Sequence, residues 1–587
     1  MKKLLFLIIL FFIAGAAGAY VYLRDGFSPT ETPIARLLPE DTWMLLTVNA
    51  LENQAMEMRD SRLGKAVSAI DIDTVLEKMN VPESRRMMAN QQLNAFNDNF
   101  DRRMFYEVFG DEAALAILPP PDGARTVMDF TPGQILLFAR PRHGATLTDV
   151  FMKLGAGEDQ QPQNMDYEGH TIRSYPINPM MRLYTTVVDK TLMAAALAQA
   201  PLEAVHDRAD GRNTEKSLED QAYYTRLTGE QAPNPRNTCF LNLENGIATL
   251  MNSLDLLQEM AGESPPDPAL EQIKQMVTGF LATRYASYKN GDSLFGDSRL
   301  LIDRNQMNPI YAEMFSRAPV KTASLSQTPP NALIHYWTNI MSIRQTLAMQ
   351  FPTPEDRQMA ETAFKDMTGI SLNTLLDAFG DETAFTLTGI QTTGPFPVPE
   401  FVITFDTDNP GIFERLIDTA LNETASMTGG NLQQNTVSHS GIDITSIATP
   451  LGTAVSPAWA YMDGRFTIAV NPALIQKMVD ARDSGKTLTQ TAAFQAVGTD
   501  LLKESNYVRF VNGEALMDSL IMLASWGNSM SMMLGPENGA ALSTALNDVV
   551  IPILDGLKMF NVYADRGWIE DDMFVTHTTI KIAPAAE

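Results

Sequence analysis

The chain has 587 residues, 45% hydrophobic and 19% charged, with a formal net charge of −26. Its length exceeds what one hydrophobic core serves, so two or more domains are expected, and its apolar content excludes a disordered chain. The acidity argues against a nucleic-acid partner and against docking on anionic headgroups, and the single cysteine, Cys239, excludes intrachain disulfides and cysteine-built metal sites.

Lys2 and Lys3 precede an uncharged run from Leu4 to Leu23, closed by Arg24. Helical residues rise ~1.5 Å each, so this run matches a ~30 Å hydrocarbon core. The basic flank keeps the N-terminus in the cytoplasm. Residues 1–24 are therefore expected to be a signal anchor, held in the inner membrane through residues 4–23, with the rest in the periplasm or outside. Ala17-Gly18-Ala19 would also suit cleavage, giving a secreted protein. The apolar run continues through Tyr20–Leu23, so the retained anchor is preferred.

Beyond residue 34 the sequence is written twice. LPEDTWMLLTVN, from Leu38, answers PPNALIHYWTN, from Pro329. Phe-Gly-Asp-Glu recurs at Phe109–Glu112 and Phe379–Glu382. GQILLFARPRHGATLTDVF answers EFVITFDTDNPGIFERLID, and YEGHTIRSY answers HSGIDITSI. Asp189-Lys190 and Asp463-Gly464 then mark hairpin tips, followed by a helix in each copy. TCFLNLENGIATL and YVRFVNGEAL each read as a strand entering a helix. The copies close on hairpins expected to turn at Asn290-Gly291 and Arg566-Gly567. The expected fold is α+β, in two tandem homologous domains over 35–309 and 324–582, joined by a linker at 310–323. Each domain reads β-α-β-β-α-β-β-β-α-β-α-β-β, a mainly antiparallel sheet with helices packed on one face. The first copy carries extra polar sequence around residues 80–103.

The Phe-Gly-Asp-Glu corners invite two readings. Asp111-Glu112 and Asp381-Glu382 could act as acid/base pairs or hard-metal ligands. The preferred reading is structural: a helix ends at Phe109 or Phe379, Gly110 or Gly380 adopts the left-handed conformation, and the acids lie in solvent. The histidines, His143, His170, His206, His335, His439 and His577, show no metal-binding spacing and read as surface or half-buried. No nucleophile elbow, phosphate loop or dinucleotide fingerprint is present. No catalytic residue, metal ligand or cofactor is assigned. Methionine is the compositional signal, with 33 residues. Met517, Met522, Met530, Met532 and Met533 surround Trp526, and Met251 and Met260 occupy the corresponding stretch of the first copy. These residues are the candidate ligand or partner surface, because thioethers adapt to irregular apolar partners; core packing is the competing use.

The membrane segment, LPEDT, MDGRFTIAVNPALIQKMVDA, TLTQTAAFQAV and YVRFVNGEAL together resemble bacterial envelope proteins of a domain-of-unknown-function family with one N-terminal anchor and repeated α+β units. The resemblance implies an exported protein and supplies no catalytic residues. The expected function is a non-enzymatic, membrane-anchored envelope protein that binds a protein partner or apolar ligand, with an envelope protein or lipid as partner. The alternatives are a periplasmic carrier or chaperone for lipid or hydrophobic protein, and a hydrolase with an unrecognised site.

Overall fold

The computed structural model describes residues 32–583, except 89, 92–108, 110, 121–130, 142–161, 179–180, 230–233, 262–275, 352–353, 393, 395, 429–432 and 450–451. The expected anchor, Gly110, His143 and most of the extra segment at 80–103 fall outside the described set, as do the side chains of Met260 and Met532. The chain divides into two compact units. The first comprises residues up to Arg59, Glu83–Lys289 and Gly296–Met307. The second comprises Asp60–Pro82, Asn290–Phe295 and Asn308 onward. Residues 60–82, which the repeat places in the first copy, thus belong to the second unit.

The first unit is built on strands β1 (Met44–Asn49), β2 (Glu112–Ile117), β3 (Ile135–Arg140), β4 (Gln163–Tyr167), β5 (His170–Asn178), β6 (Met181–Val187), β7 (Met193–Ala196), β8 (Asn237–Asn242), β9 (Phe280–Asn290) and β10 (Ser293–Ile302). Their order is β4–β5–β6–β7–β3–β2–β1–β8–β9–β10, antiparallel from β4 to β9. The second unit holds β11 (Ile334–Thr338), β12 (Thr383–Gln391), β13 (Val398–Asp406), β14 (Gln434–His439), β15 (Ile442–Ile447), β16 (Ala458–Met462), β17 (Arg465–Ala469), β18 (Tyr507–Asn512), β19 (Phe560–Glu570) and β20 (Met573–Ile582). Their order is β14–β15–β16–β17–β13–β12–β11–β18–β19–β20, again antiparallel. The protein is α+β, on antiparallel sheet.

Several expectations need correction. Each unit has one strand more than the sequence pattern suggests. YEGHTIRSY and HSGIDITSI are themselves hairpins, turning at Glu168-Gly169 and Ser440-Gly441, all four residues at positive φ. The added strands, β4 and β14, are mostly exposed and polar, so they lack the apolar alternation that announces a strand. Asp463-Gly464 forms the expected two-residue turn, with φ of 51° and 78°. Its counterpart at Asp189 is longer: Val188 N–H donates to Leu192 O (2.9 Å) around Asp189–Thr191. Arg566-Gly567 lies inside β19, opposite His577 and Thr576, and the turn falls at Asp571-Asp572. Gly567 is glycine because the Tyr507 ring lies over it, 2.2 Å from where a Cβ would stand.

Helices pack on both faces of the second unit's sheet, not on one. Helix α1 (Arg62–Ser68) and α2 (Ile72–Lys78) precede α3 (Ala200–Ala209) and α4 (Leu243–Ala261) in the chain. The second unit adds α5 (Leu372–Ala378), α6 (Pro410–Thr428), α7 (Pro472–Ser484), α8 (Gly513–Ser531), α9 (Pro536–Ala545) and α10 (Ile551–Leu557). Ala458, Ala460 and Met462 of β16 join Val402 and Ala469 against Leu474, Ile475 and Met478 of α7. The alternate residues Trp459, Phe405 and Phe466 pack with Leu375 of α5 and Ile412 and Phe413 of α6. Successive strand residues point to opposite faces, so near-continuous apolar runs such as AWAYM and FVITF require cover on both sides. The expected linker is integral to this unit: Met314 and Phe315 are buried, and Val320 pairs with Ser505.

Candidate functional site

Helix α8 starts where β18 stops. Asn512, the last residue of β18, accepts a hydrogen bond at Oδ1 from the Ala515 N–H (3.2 Å) and so caps the helix. Asn242 does the same for α4 through Asn245 (3.2 Å). The buried residues of α8 are small: Gly513, Ser519, Ala524 and Ser531. Most of its large apolar side chains are half-buried, and two of its methionines are exposed. Met522, Trp526 and Met530 recur four residues apart and therefore share a face. Met522 is 50% exposed, Met530 37%, and Met533, on the following turn, 79%. Trp526 and Met517 are half-buried. Met532 lies in the turn Met532–Leu534. In the first unit Met251 is half-buried on α4, and Met260 stands near that helix's end.

The same apolar character continues into α9 and α10, which a π-helical turn at Leu546–Val550 joins. The segment after Met533 is this helical run, opened by Gly535 and Pro536. Asn538–Leu557 is long and apolar enough to cross a membrane, and most of its residues are half-buried or exposed. Helices α1 and α2 lie alongside. Arg62 donates to both oxygens of Asp555 (3.1 and 2.7 Å), and Lys78 reaches Asp548 (2.8 Å). Gly556 permits the approach of α1, since a Cβ there would stand 2.8 Å from the Leu63 Cα. Sequence reasoning found the α8 methionines and missed α1, α2, α9 and α10. An 18-residue hydropathy window would have found Asn538–Leu557; nothing local marks α1 and α2 as its neighbours.

The Phe-Gly-Asp-Glu corner differs from expectation in two ways. Gly380 has no positive φ; it is glycine because the Asp406 side chain and carbonyl lie 2.6 and 2.9 Å from where a Cβ would stand. Asp381 is exposed and pairs with Arg317 (2.5 Å), but Glu382 is half-buried and accepts from Trp337 Nε1 (2.9 Å). Arg465 binds Asp406 (2.9 Å) and lies 3.7 Å from Glu382. Burial pushes both carboxyls, Glu382 and Asp406, above their usual range. An open polar cleft of about 300 Å³ adjoins them, lined by Gly380, Asp406, Thr407, Asp408, Asp463, Gly464 and Arg465. In the first unit Glu112 pairs instead with Arg140 of β3 (2.5 Å), which also donates to Thr191 (3.2 Å). Both corners bind a carboxylate to a guanidinium on a nearby strand of the same sheet, an arrangement that clamps the corner.

Two histidines are fully buried, contrary to the surface reading. His206 accepts or donates at Thr186 Oγ1 (2.8 Å) and stacks on His170, which pairs with Asp210 (2.8 Å). His335 sits in a hydroxyl cage of Ser324 (3.0 Å), Thr328 (3.2 Å) and Thr386 (3.0 Å). Ser324 and His335 are 6% and 1% exposed, so this serine–histidine contact is sealed from any substrate. Burial holds the His335 pKa at about 4 against an ordinary 6.5. The folded protein therefore refuses a proton that the unfolded chain accepts. Its contribution to stability is complete above pH ~6.5 and disappears as pH falls toward ~4, amounting to about 3 kcal/mol. Chemical denaturation of the wild type and His335→Gln at pH 7 and pH 4.5 should show a shallower acid loss in the variant; equal slopes would refute this assignment. Cys239, half-buried on β8, has its thiol pushed up by burial. Among the described residues, no group of three His, Cys, Asp or Glu is placed to hold a metal ion.

The class these features define is an α+β protein on antiparallel sheet with a partly exposed apolar helical layer. No family model matches the chain. No curated protein matches it either. Among solved structures it is similar to three crystal forms of TP0453. Form III is 6% identical, covers 49% of this chain and 84% of its own, and has a TM-score of 0.23. Form IV is 6% identical, with 46% and 79% covered and a TM-score of 0.23. Form I is 8% identical, with 48% and 82% covered and a TM-score of 0.24. At such scores the likeness carries no functional argument.

Proposed function

We propose that the chain is a membrane-anchored, exported envelope protein of non-enzymatic type that binds an apolar ligand or protein partner through tandem homologous α+β domains. The observation that carries this reading is the helical layer of the second unit, which leaves Met522, Met530, Met533 and Leu534 exposed. A soluble helix ordinarily buries that face. Contiguous exposed apolar surface marks an interaction site more often than a bare surface. The common strand order of the two units supports their origin as tandem copies, and the run from Leu4 to Leu23 supports the anchor.

The test uses the full chain purified from membranes. Lipid and protein mass spectrometry should find an apolar companion, and an apolar fluorophore should bind with a rise in emission. Met533→Glu combined with Leu534→Glu should abolish that rise without lowering the melting temperature, because both side chains are more than half exposed. A fluorophore signal unchanged by the double substitution would remove the helical layer from the function.

A further inference from the structure

The helical layer has a charge pattern that narrows what can cover it. Three of its carboxylates are paired with cations, and Lys558 serves both Asp518 and, at 3.2 Å, Asp555. Asp518 pairs with Lys558 (2.6 Å), Asp548 with Lys78 (2.8 Å) and Asp555 with Arg62 (2.7 Å). Two of those cations are delivered by α1 and α2, from almost 500 residues earlier in the chain. This local matching occurs on a chain of net charge −26. A polar or charged partner would gain little from such a surface. An uncharged apolar one would meet no unpaired ion at these positions.

We propose that α8–α10, with α1 and α2, rest on the interface of an electrically neutral lipid bilayer, lying in its plane. This deepens the apolar-partner reading and rests on it. Two further observations select a bilayer. Asn538–Leu557 has the length and apolarity of a membrane segment and leaves Leu542 and Val550 exposed. Met522, Met530, Met533, Leu534 and Val550 expose flexible or branched apolar tips on the same layer, a composition suited to acyl chains.

The ion pairs decide orientation. Crossing the bilayer would carry Asp548 and Asp555 into hydrocarbon, together with Lys78 and Arg62, at heavy cost. Lying in the interface keeps the pairs at headgroup depth, and α8 stays seated on β19 through Gly513. The overall negative charge selects zwitterionic over anionic lipid.

The experiment reconstitutes the full chain in zwitterionic vesicles, with and without brominated acyl chains, and reads tryptophan emission. Met533→Trp adds a reporter at the most exposed position of the layer, and Val437→Trp adds one on the exposed edge strand β14. Difference spectra against the wild type remove the native tryptophans, and Trp526→Phe reports the loss of the one on α8. The expected result is a blue-shifted Met533→Trp emission that brominated lipid quenches, with Val437→Trp unshifted and unquenched. Replacing part of the lipid by an anionic one should weaken the quenching. Unquenched Met533→Trp emission overturns the bilayer proposal. If the apolar fluorophore still binds in that case, the apolar-partner reading survives with a protein or soluble ligand as occupant; if binding is absent too, both fall.

Discussion

Gly513→Ala should destabilise the second unit by about 3 kcal/mol, the upper end of what overpacking usually costs. The added Cβ would stand 2.0 Å from the Phe560 carbonyl oxygen and 3.1 Å from that of Asn561, both backbone atoms of β19. Neither partner can yield cheaply. The β19 backbone is paired at Phe560 with Ile582 of β20 and from Val562 onward with both β18 and β20. Helix α8 is fixed by the chain itself, because the preceding Asn512 is both the end of β18 and the cap of the helix. Gly246→Ala provides the opposite sign: it lies inside α4 with no neighbouring atom within 4 Å of the methyl that alanine would add, so the change should stabilise by about 0.5–1 kcal/mol. Urea unfolding of the full chain separates the two. Equal midpoints for Gly513→Ala and wild type would show that α8 does not rest on β19 as described.

The second large effect lies in the first unit. Arg284 on β9 is 1% exposed and donates to Asp297 on β10 (2.5 Å), with Leu227 O (3.4 Å) and the Tyr288 hydroxyl (3.3 Å) as longer acceptors. Asp297→Ala would leave a buried guanidinium with neutral acceptors alone, and a loss of about 3–5 kcal/mol is expected. Pairing it with Arg284→Met should recover most of that loss, because an apolar pair of similar volume incurs no charge desolvation. A double-mutant cycle measures this directly. If the double variant is no more stable than Asp297→Ala, the effect comes from packing, and the charge account is wrong.

What the sequence made legible was local chemistry. Asp463-Gly464 specifies its turn because both residues tolerate the left-handed conformation, and α7 is bounded by Asn471-Pro472 at one end and a left-handed Gly485 at the other. The misread places are those where a residue answers to something distant in the chain. Gly567 looked like a turn and is a seat for the Tyr507 ring. Gly380 looked like a helix stop and makes room for Asp406. β14 carried no apolar alternation because it lies at the sheet edge. The outward methionines of α8 were visible as a cluster, but their direction depends on how small residues seat the helix on the sheet. The partnership of Arg62 with Asp555 spans the two copies and has no local signature at all.

The two Phe-Gly-Asp-Glu corners carry a historical consequence. Glu112 finds its guanidinium on β3, at Arg140; Glu382 finds its own on β17, at Arg465, and the last residue of β13, beside it, is Asp406. Side by side, Arg140 and Asp406 look like a charge reversal. In place, each is correct only with its own neighbours. Grafting β13 for β3 would gather two carboxylates with no cation from either strand, and the reverse graft would set two guanidiniums side by side. If the halves descend from one ancestor, these positions have drifted as a set, each change acceptable only after another, and the strands at this corner are no longer interchangeable parts.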